Sequence, residues 1–330
     1  MSEPGVDDLS KIRSAMKAGQ FSDALSYSET VLNQDPEQAD VLYMAAVSAR
    51  YLKKIDRAEH YLRRLKEVSP DFGRAFQEEG HLALATGQTA RAVSAFRLAV
   101  RYNPALTASW IKLSELCAAT GDEKGAQEAH AQWQRLTALP RELIAVLNHI
   151  HEGRVLRAEE IVRAYLQKHP RDVEGMRLLA DIGSRLSVLT DADFLLETAI
   201  ELEPENLQLR IDHIQVLRKR QKYDAAKAQA EFLYDKDPQS PLFQSLLAIE
   251  TMHAGEIERS LGLFEDVLKV LPDDLAALTS RGHAMKTYGK TDEAIASYKR
   301  ALSVSPLHGD AWYALANLKT YEFSEAELDQ

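Results

Sequence analysis

Three groups of residues in this 330-residue chain have the types and spacing to raise a question of chemistry. Gly289-Lys290-Thr291 spells the end of a phosphate-cradling loop. Such a loop needs Gly, four residues, then Gly-Lys-Ser/Thr, set between a strand and a helix so that backbone amides turn toward phosphate. Ala284 stands where the first Gly belongs, and residues 285–288 read as helix. Alanine does not readily take the glycine-only conformations that the loop requires. The triplet therefore reads as a wet turn between two helices. The ten histidines come next. His149 and His151 are two residues apart, so on a helix they point about 200° away from each other and cannot share a metal ion. The only cysteine, Cys117, excludes an intramolecular disulfide and a thiolate cluster. As a nucleophile it would need a nearby His and a cleft; on the inward face of a helix it reads as a small buried hydrophobe. No serine elbow and no carboxylate pair in a plausible cleft emerges. The expectation is a non-catalytic chain with no metal and no cofactor.

The elements that carry these residues are helices in a regular series. Apolar residues make up 45% of the chain and charged ones 27%, a composition that builds an ordinary core. The formal charge of −10 argues against nonspecific affinity for nucleic acid or anionic membranes. No run of 18 apolar residues occurs, and residues 1–20 lack the apolar stretch of a secretion signal, so the expected address is the cytoplasm.

Prolines fall at Pro36, Pro70 and Pro104, then at Pro170, Pro204, Pro238, Pro272 and Pro306, spaced by 34 within each group. Twelve residues before each lies a small residue: Ala24, Ala58, Ala92, Ala158, Ala192, Ala226, Ser260 and Ala294. Ala126 belongs to the same ladder, with its proline displaced to Pro140. Glycines at 19, 87, 121, 153, 255 and 289 mark a turn between two helices of each copy, where a left-handed residue ends the first. Downstream apolar residues such as Ala294, Ile295, Tyr298, Ala301 and Leu302 keep helical spacing, and the proline then stops the second helix. A small residue at the ladder position lets paired helices approach to about 8–10 Å. Sustained period-two alternation is missing, so no sheet is expected.

This pattern resembles the tetratricopeptide repeat over residues 5–320. It appears as Trp110, Leu113, Gly121 and Ala126; as Gly80, Gly87, Ala92, Phe96, Ala99 and Pro104; and as Gly282, Gly289, Ala294, Tyr298, Ala301 and Pro306. Ile12, Val146 and Ile214 stand where the family usually has something smaller. The resemblance implies an all-α fold, a right-handed α-solenoid (superhelix) of about nine helical hairpins plus a partial tenth. Between Ala126 and Ala158 the ladder shortens to 32 residues. Two residues lost inside a helix would rotate everything beyond by about 200°. The loss is therefore expected in a connection near residues 136–143, dividing the chain into sub-arrays 5–138 and 139–320.

In the family, the first helix of each pair lines the concave side. That assignment places Tyr43, Val47, Arg50, Tyr51, Arg74, Gln77, His81, Lys112 and Glu115 there from the early repeats. The later repeats add Arg177, Asp181, Arg185, Arg218, Lys219, Ile249, Met252, Lys286, Asn317 and Tyr321. The lining is slightly basic within an acidic protein. Its densest basic cluster, Arg177, Arg185, Arg218 and Lys219, suits carboxylate or phosphate groups. Arg177, Asp181 and Arg185 could equally satisfy one another at i, i+4 spacing. His81, His253 and His283 also fall on this side, each in a different repeat. The asparagines of the family's carboxylate-holding chaperone arrays, and the asparagine ladder of its sugar-transferring members, are missing from these faces. The resemblance implies a scaffold for a protein or peptide partner, without nucleic acid or membrane, and leaves self-association through exposed terminal repeats open.

The stretch 310–328, DAWYALANLKTYEFSEAEL, resembles the junction at which bacterial tetratricopeptide arrays precede a sulfotransferase domain. Ser324-Glu325-Ala326-Glu327 has the form of a capping box that starts a helix, so 321–330 is expected to begin a cap or a linker. The alternative expectation is a substrate-recruiting or oligomerising region of a sulfotransferase. A phosphosulfate nucleotide would then be bound by a further domain.

Overall fold

A computed structural model describes residues 6–318 and 321–324. They form nineteen α-helices, with no strand among the described residues. The chain divides into two compact units, residues 1–168 and 169–330. The first holds α1 (Val6–Lys17), α2 (Phe21–Gln34), α3 (Ala39–Tyr51), α4 (Ile55–Val68), α5 (Gly73–Ala85), α6 (Thr89–Tyr102), α7 (Thr107–Ala119), α8 (Glu123–Thr137), α9 (Arg141–His151) and α10 (Val155–Lys168). The second holds α11 (Val173–Arg185), α12 (Leu189–Leu202), α13 (Leu207–Lys219), α14 (Tyr223–Lys236), α15 (Pro241–His253), α16 (Ile257–Val270), α17 (Leu275–Thr287), α18 (Thr291–Val304) and α19 (Gly309–Ala316).

Each hairpin is closed by the same backbone device. A left-handed residue follows the first helix, and the next amide reaches back five residues, as in Gln20 N–H to the Ala15 carbonyl and Lys290 N–H to the Met285 carbonyl, both 2.9 Å. All six glycines named above take positive φ. Lys53, Ser187 and Gln221 adopt the same conformation at φ near 60° without glycine, so the turn is imposed by the packing of the two helices. Gly289-Lys290-Thr291 is one of these turns: its amides close a helix end and Lys290 pairs with Glu293 at 3.2 Å. At some of the prolines a side-chain donor on the next helix satisfies the proline carbonyl. Trp110 Nε1 donates to Pro104 at 2.7 Å, and Trp312 Nε1 to Pro306 at 2.8 Å.

The small-residue ladder lies in the core. Ala24, Ala92, Ala158, Ala192, Ala226, Ser260 and Ala294 are fully buried, and Ala58 nearly so. Gly80 approaches the fully buried Phe96 ring so closely that a methyl group there would lie 2.7 Å from it, and Gly282 stands in the same relation to Tyr298. Ile12, Val146 and Ile214 are fully buried despite their size.

The stack changes at α8. This helix has 15 residues, of which Ala129 and Leu136 alone are buried, and its ladder member Ala126 is half-buried. A three-residue connection leads to α9, which has 11 residues where the other complete first helices preceded by a full connection have 13. The two missing residues are thus taken from a first helix and its approach. α8 and α9 hardly touch; α9 packs on α10. Three polar contacts bind this pair to the end of α6 and to the starts of α5 and α3. Asn148 bonds Asn103 at 3.1 Å, Glu152 pairs with Arg74, and Arg154 pairs with Asp40 at 3.4 Å. These contacts put α9 and α10 in the first unit, one hairpin beyond the 138/139 division that the spacing suggested.

In the second unit α19 is the first helix of a tenth copy, with Ala311, Ala314, Leu315 and Leu318 buried and Trp312, Tyr321 and Phe323 packed on that core. Of the expected capping box, residues 325–327 lie outside the described residues, as do 319 and 320 within the junction stretch. No described helix is long and apolar enough to cross a membrane.

Candidate functional site

The first unit carries a cleft of 430 Å³ against the first-helix face. Its floor is apolar: Met16 from the end of α1, Tyr43 and Met44 from α3, and Phe72 from the turn before α5. The Tyr43 and Phe72 rings meet at 5.8 Å between centroids. Its rim is charged. Arg13 and Lys17 come from the last turns of α1, Asp40 from the start of α3, Arg74 from the start of α5, and His149 and Arg154 from the α9–α10 corner. Helical periodicity explains the division of labour: Arg13 and Lys17 are four apart and share one side of α1, while Met16 adjoins them toward the core.

Asp40 is shared by Arg13 at 3.3 Å and Arg154 at 3.4 Å. Glu152, whose side chain is nearly buried, pairs with both Arg74 and Arg154. Four cations therefore face two carboxylates, and Lys17 has no carboxylate partner among the described residues. The surplus is felt by its neighbours. His149 is held below its ordinary value by burial, then by Arg154, Arg74, Arg157 and Arg13. Arg154 is lowered by burial, with Arg74 and Arg13 adding to the effect against Asp40. The Tyr43 hydroxyl is pushed up to about 12 by burial and by Glu78, against the pull of Arg74.

The expected groove residues are dispersed by comparison. Tyr43 and Arg74 reach the cleft. Arg50 pairs with Glu78 at 2.6 Å and lies over the Tyr51 ring, which stacks on Phe21 at 4.1 Å. Val47 is buried. His81 meets the edge of Phe96, and Lys112 pairs with Glu115 at 2.7 Å.

In the second unit Arg177 bonds Glu174 at 2.7 Å and Asp212 at 3.0 Å. Arg185 bonds Asp181 at 3.0 Å, and Arg218 donates to the fully buried Glu250 at 2.8 Å. Lys219 donates to the Ser184 hydroxyl at 2.8 Å. Each member of the expected basic cluster thus has a partner within the chain. Met252 packs on the core, while Lys286 and Asn317 are exposed. His253 stacks on Tyr223 at 5.1 Å, and His283 accepts or donates a 2.9 Å bond with the Tyr298 hydroxyl.

Three features escaped the residue-by-residue reading. Arg13, Met16 and Lys17 belong to the cleft because α1 opens the stack, and His149 and Arg154 because α9 leaves it. The sequence signal for the latter is the 32-residue step, which tells that the stack breaks but not where the chain then goes. The third is Asp193 on α12, buried with Oδ1 2.6 Å from His213 Nε2 and Oδ2 2.8 Å from Lys222, with Arg220 also on Oδ2. Its ladder equivalents are mixed, apolar at Leu25, Val93, Leu261 and Ile295 and polar at Glu59 and Lys227, so position alone does not mark it. Asp193, Glu197 and His213 have ligand atoms within 4.8 Å of one another. Arg220 and Lys222 already supply cations to Asp193, so the geometry is that of a charge cluster joining α12, α13 and the following turn.

Models of the tetratricopeptide repeat match residues 15–77, 73–106 and 288–318. These segments of the chain are tetratricopeptide repeats. Among curated proteins none matches it. Solved structures with a similar course include MamA from Desulfovibrio magneticus RS-1, 13% identical, covering 51% of this chain and 98% of that one at a TM-score of 0.45. A tetratricopeptide-repeat protein from Parabacteroides merdae is 15% identical, covering 74% and 97% at 0.46. YrrB, described as a TPR protein with an unusual peptide-binding site, is 15% identical, covering 68% and 98% at 0.42. The tetratricopeptide repeats make this chain a protein-interaction scaffold.

Proposed function

We propose that this scaffold holds a polypeptide segment of its partner along the first-helix face of the first unit, with the cleft as anchor. The observation that supports this most directly is the 430 Å³ cleft, whose apolar floor and charged rim combine the two requirements of a specific pocket. An apolar side chain seated on Met16, Tyr43, Met44 and Phe72 would supply most of the affinity, and the rim would fix its orientation. The helices that frame it are packed through fully buried residues such as Ile12, Val41 and Leu42, so the site is largely preformed and binding costs little ordering. Binding, not bond-making, is the task this arrangement suits.

The test is selection of peptides from a random display library on the full chain, followed by hydrogen–deuterium exchange on the complexes. Selected peptides are expected to bind with Kd below about 100 µM and to protect the end of α1 and the starts of α3 and α5. Protection confined to the second unit, or no selected binder, overturns the assignment.

A further inference from the structure

We propose that the cleft takes an acidic polypeptide segment in which a glutamate or aspartate adjoins one apolar anchor residue. This rests on the reading of the cleft as a peptide anchor and adds the chemistry of its occupant.

Arg177, Arg185, Arg218 and Lys219 in the second unit are each engaged by an acceptor from the chain itself. The cleft differs because its carboxylates are too few. Asp40 serves two arginines and Glu152 serves two, with Arg154 common to both, while Lys17 is left over at the rim. A carboxylate entering beside Lys17 and Arg13 would complete the set without displacing an existing pair. Lys17 is exposed, so it is free to turn toward it, and Arg13 lies exposed beside it while paired with Asp40. The pairing would be charge-assisted, and in a site backed by buried groups it is screened less than on open surface.

The apolar component follows from the floor. Met16 and Met44 are adaptable side chains, and the tilted Tyr43 and Phe72 rings offer both face and edge to an incoming aliphatic or aromatic group. A volume of 430 Å³ suits one such side chain and its backbone, not a base-paired or extended nucleic acid. The field is consistent with this occupant: His149 is held down first by burial and then by four arginines, and a neighbouring anion would offset the arginines' part. The chain as a whole carries a net charge of −10, so an acidic segment is repelled from most of its surface. Local attraction at the cleft then acts as a selector of register along the groove as well as a source of affinity.

Fluorescence anisotropy on the full chain tests this with fluorescein-labelled Gly-Ser-Glu-Glu-Phe-Glu-Gly-Ser. The probe is expected to bind at least about tenfold more tightly than its Gln-for-Glu and its Ala-for-Phe versions. Lys17→Glu and Arg13→Glu change exposed side chains and should leave the circular dichroism spectrum unchanged while weakening the Glu probe by a similar factor. Equal binding of the Glu and Gln probes, or indifference to Lys17→Glu, overturns the proposal. Competition by oligo-uridylate or by millimolar inorganic phosphate equal to that by the acidic peptide also overturns it, in favour of a general anion site. If display-selected peptides protect α1, α3 and α5 but show no acidic preference, the anchor stands and the inference about its occupant fails.

Discussion

Replacing Asp193 by Ala separates a structural charge cluster from a decorative one. The carboxylate is 2% exposed and His213 is 4% exposed, so neither can turn to water when the other is removed. The Nδ1 atom of His213 has no partner, which leaves Nε2 and its 2.6 Å contact to Asp193 as the imidazole's hydrogen bond. Losing it strands a buried polar ring at about 1–3 kcal/mol. Lys222 and Arg220 have side chains 44% and 23% exposed and can reach solvent, so each adds at most about 1 kcal/mol. Asp193→Ala should therefore cost about 3 kcal/mol, whereas Asp193→Asn, which still bonds His213, should cost about half as much. Urea unfolding at pH 7 measures the difference, and hydrogen exchange should place the loss in α12, α13 and the turn that follows. Burial works to raise the Asp193 carboxyl, yet hydrogen bonds from Lys222 and His213 bring it below the usual carboxylate range. An unfolded Asp titrates near pH 3.9, so the stabilisation is complete above that value and disappears as pH falls through the lower folded one. The gap between wild type and Asp193→Ala should accordingly persist at pH 5 and close only in stronger acid. A cost under about 0.5 kcal/mol at pH 7, or equal costs for Ala and Asn, refutes the reasoning.

Two further outcomes test the packing and the pH response. Gly80→Ala places a methyl 2.7 Å from the Phe96 ring and should destabilise by about 1–3 kcal/mol, with Phe96→Leu restoring part of it in the double variant; additive urea midpoints would contradict the contact. His81, His149, His253 and His283 are all held below 6.5, each mainly by burial. The unfolded chain takes up protons below that pH before the folded one does, so stability is full above about pH 6.5 and declines on acidification. Thermal unfolding should move down between pH 7.5 and 5.5, and an upward shift would contradict the sign.

The legible part of this fold was its repetition. Ala24, Ala92 and Ala294 are buried because each copy asks the same thing of the same position, and a period of 34 reveals that demand without any knowledge of neighbours. Gly289 was legible for the same reason, and Lys53 and Gln221 show the limit: the backbone keeps the turn where the glycine has gone, so glycine is a sufficient mark and not a necessary one. The cleft was legible only through Tyr43 and Arg74, the two members supplied by regular repeats. Arg13, Lys17, His149 and Arg154 reach it through departures from the repeat, one at the opening of the stack and one at its break. Partner choice for a charged side chain is also not periodic. Arg218 and Arg185 look alike as groove cations, yet one donates to a buried glutamate on the next first helix and the other to its own helix.

A linear array normally loosens from its two tips, because every interior helix is clamped on both sides and the outermost are clamped on one. α8 is an interior helix with the covering of a tip: two buried residues in fifteen, and almost nothing of α9 laid against it. The first unit thus possesses an interior place from which unravelling can start, between residues 137 and 141. What ties α9 and α10 down is not the stacking that holds every other hairpin but the polar seam of Asn148, Glu152 and Arg154. Two members of that seam also form or back the cleft rim. Whatever loosens the seam therefore opens one wall of the cleft, and whatever fills the cleft fastens the seam, so occupancy and cohesion of this hairpin are one equilibrium seen from two sides.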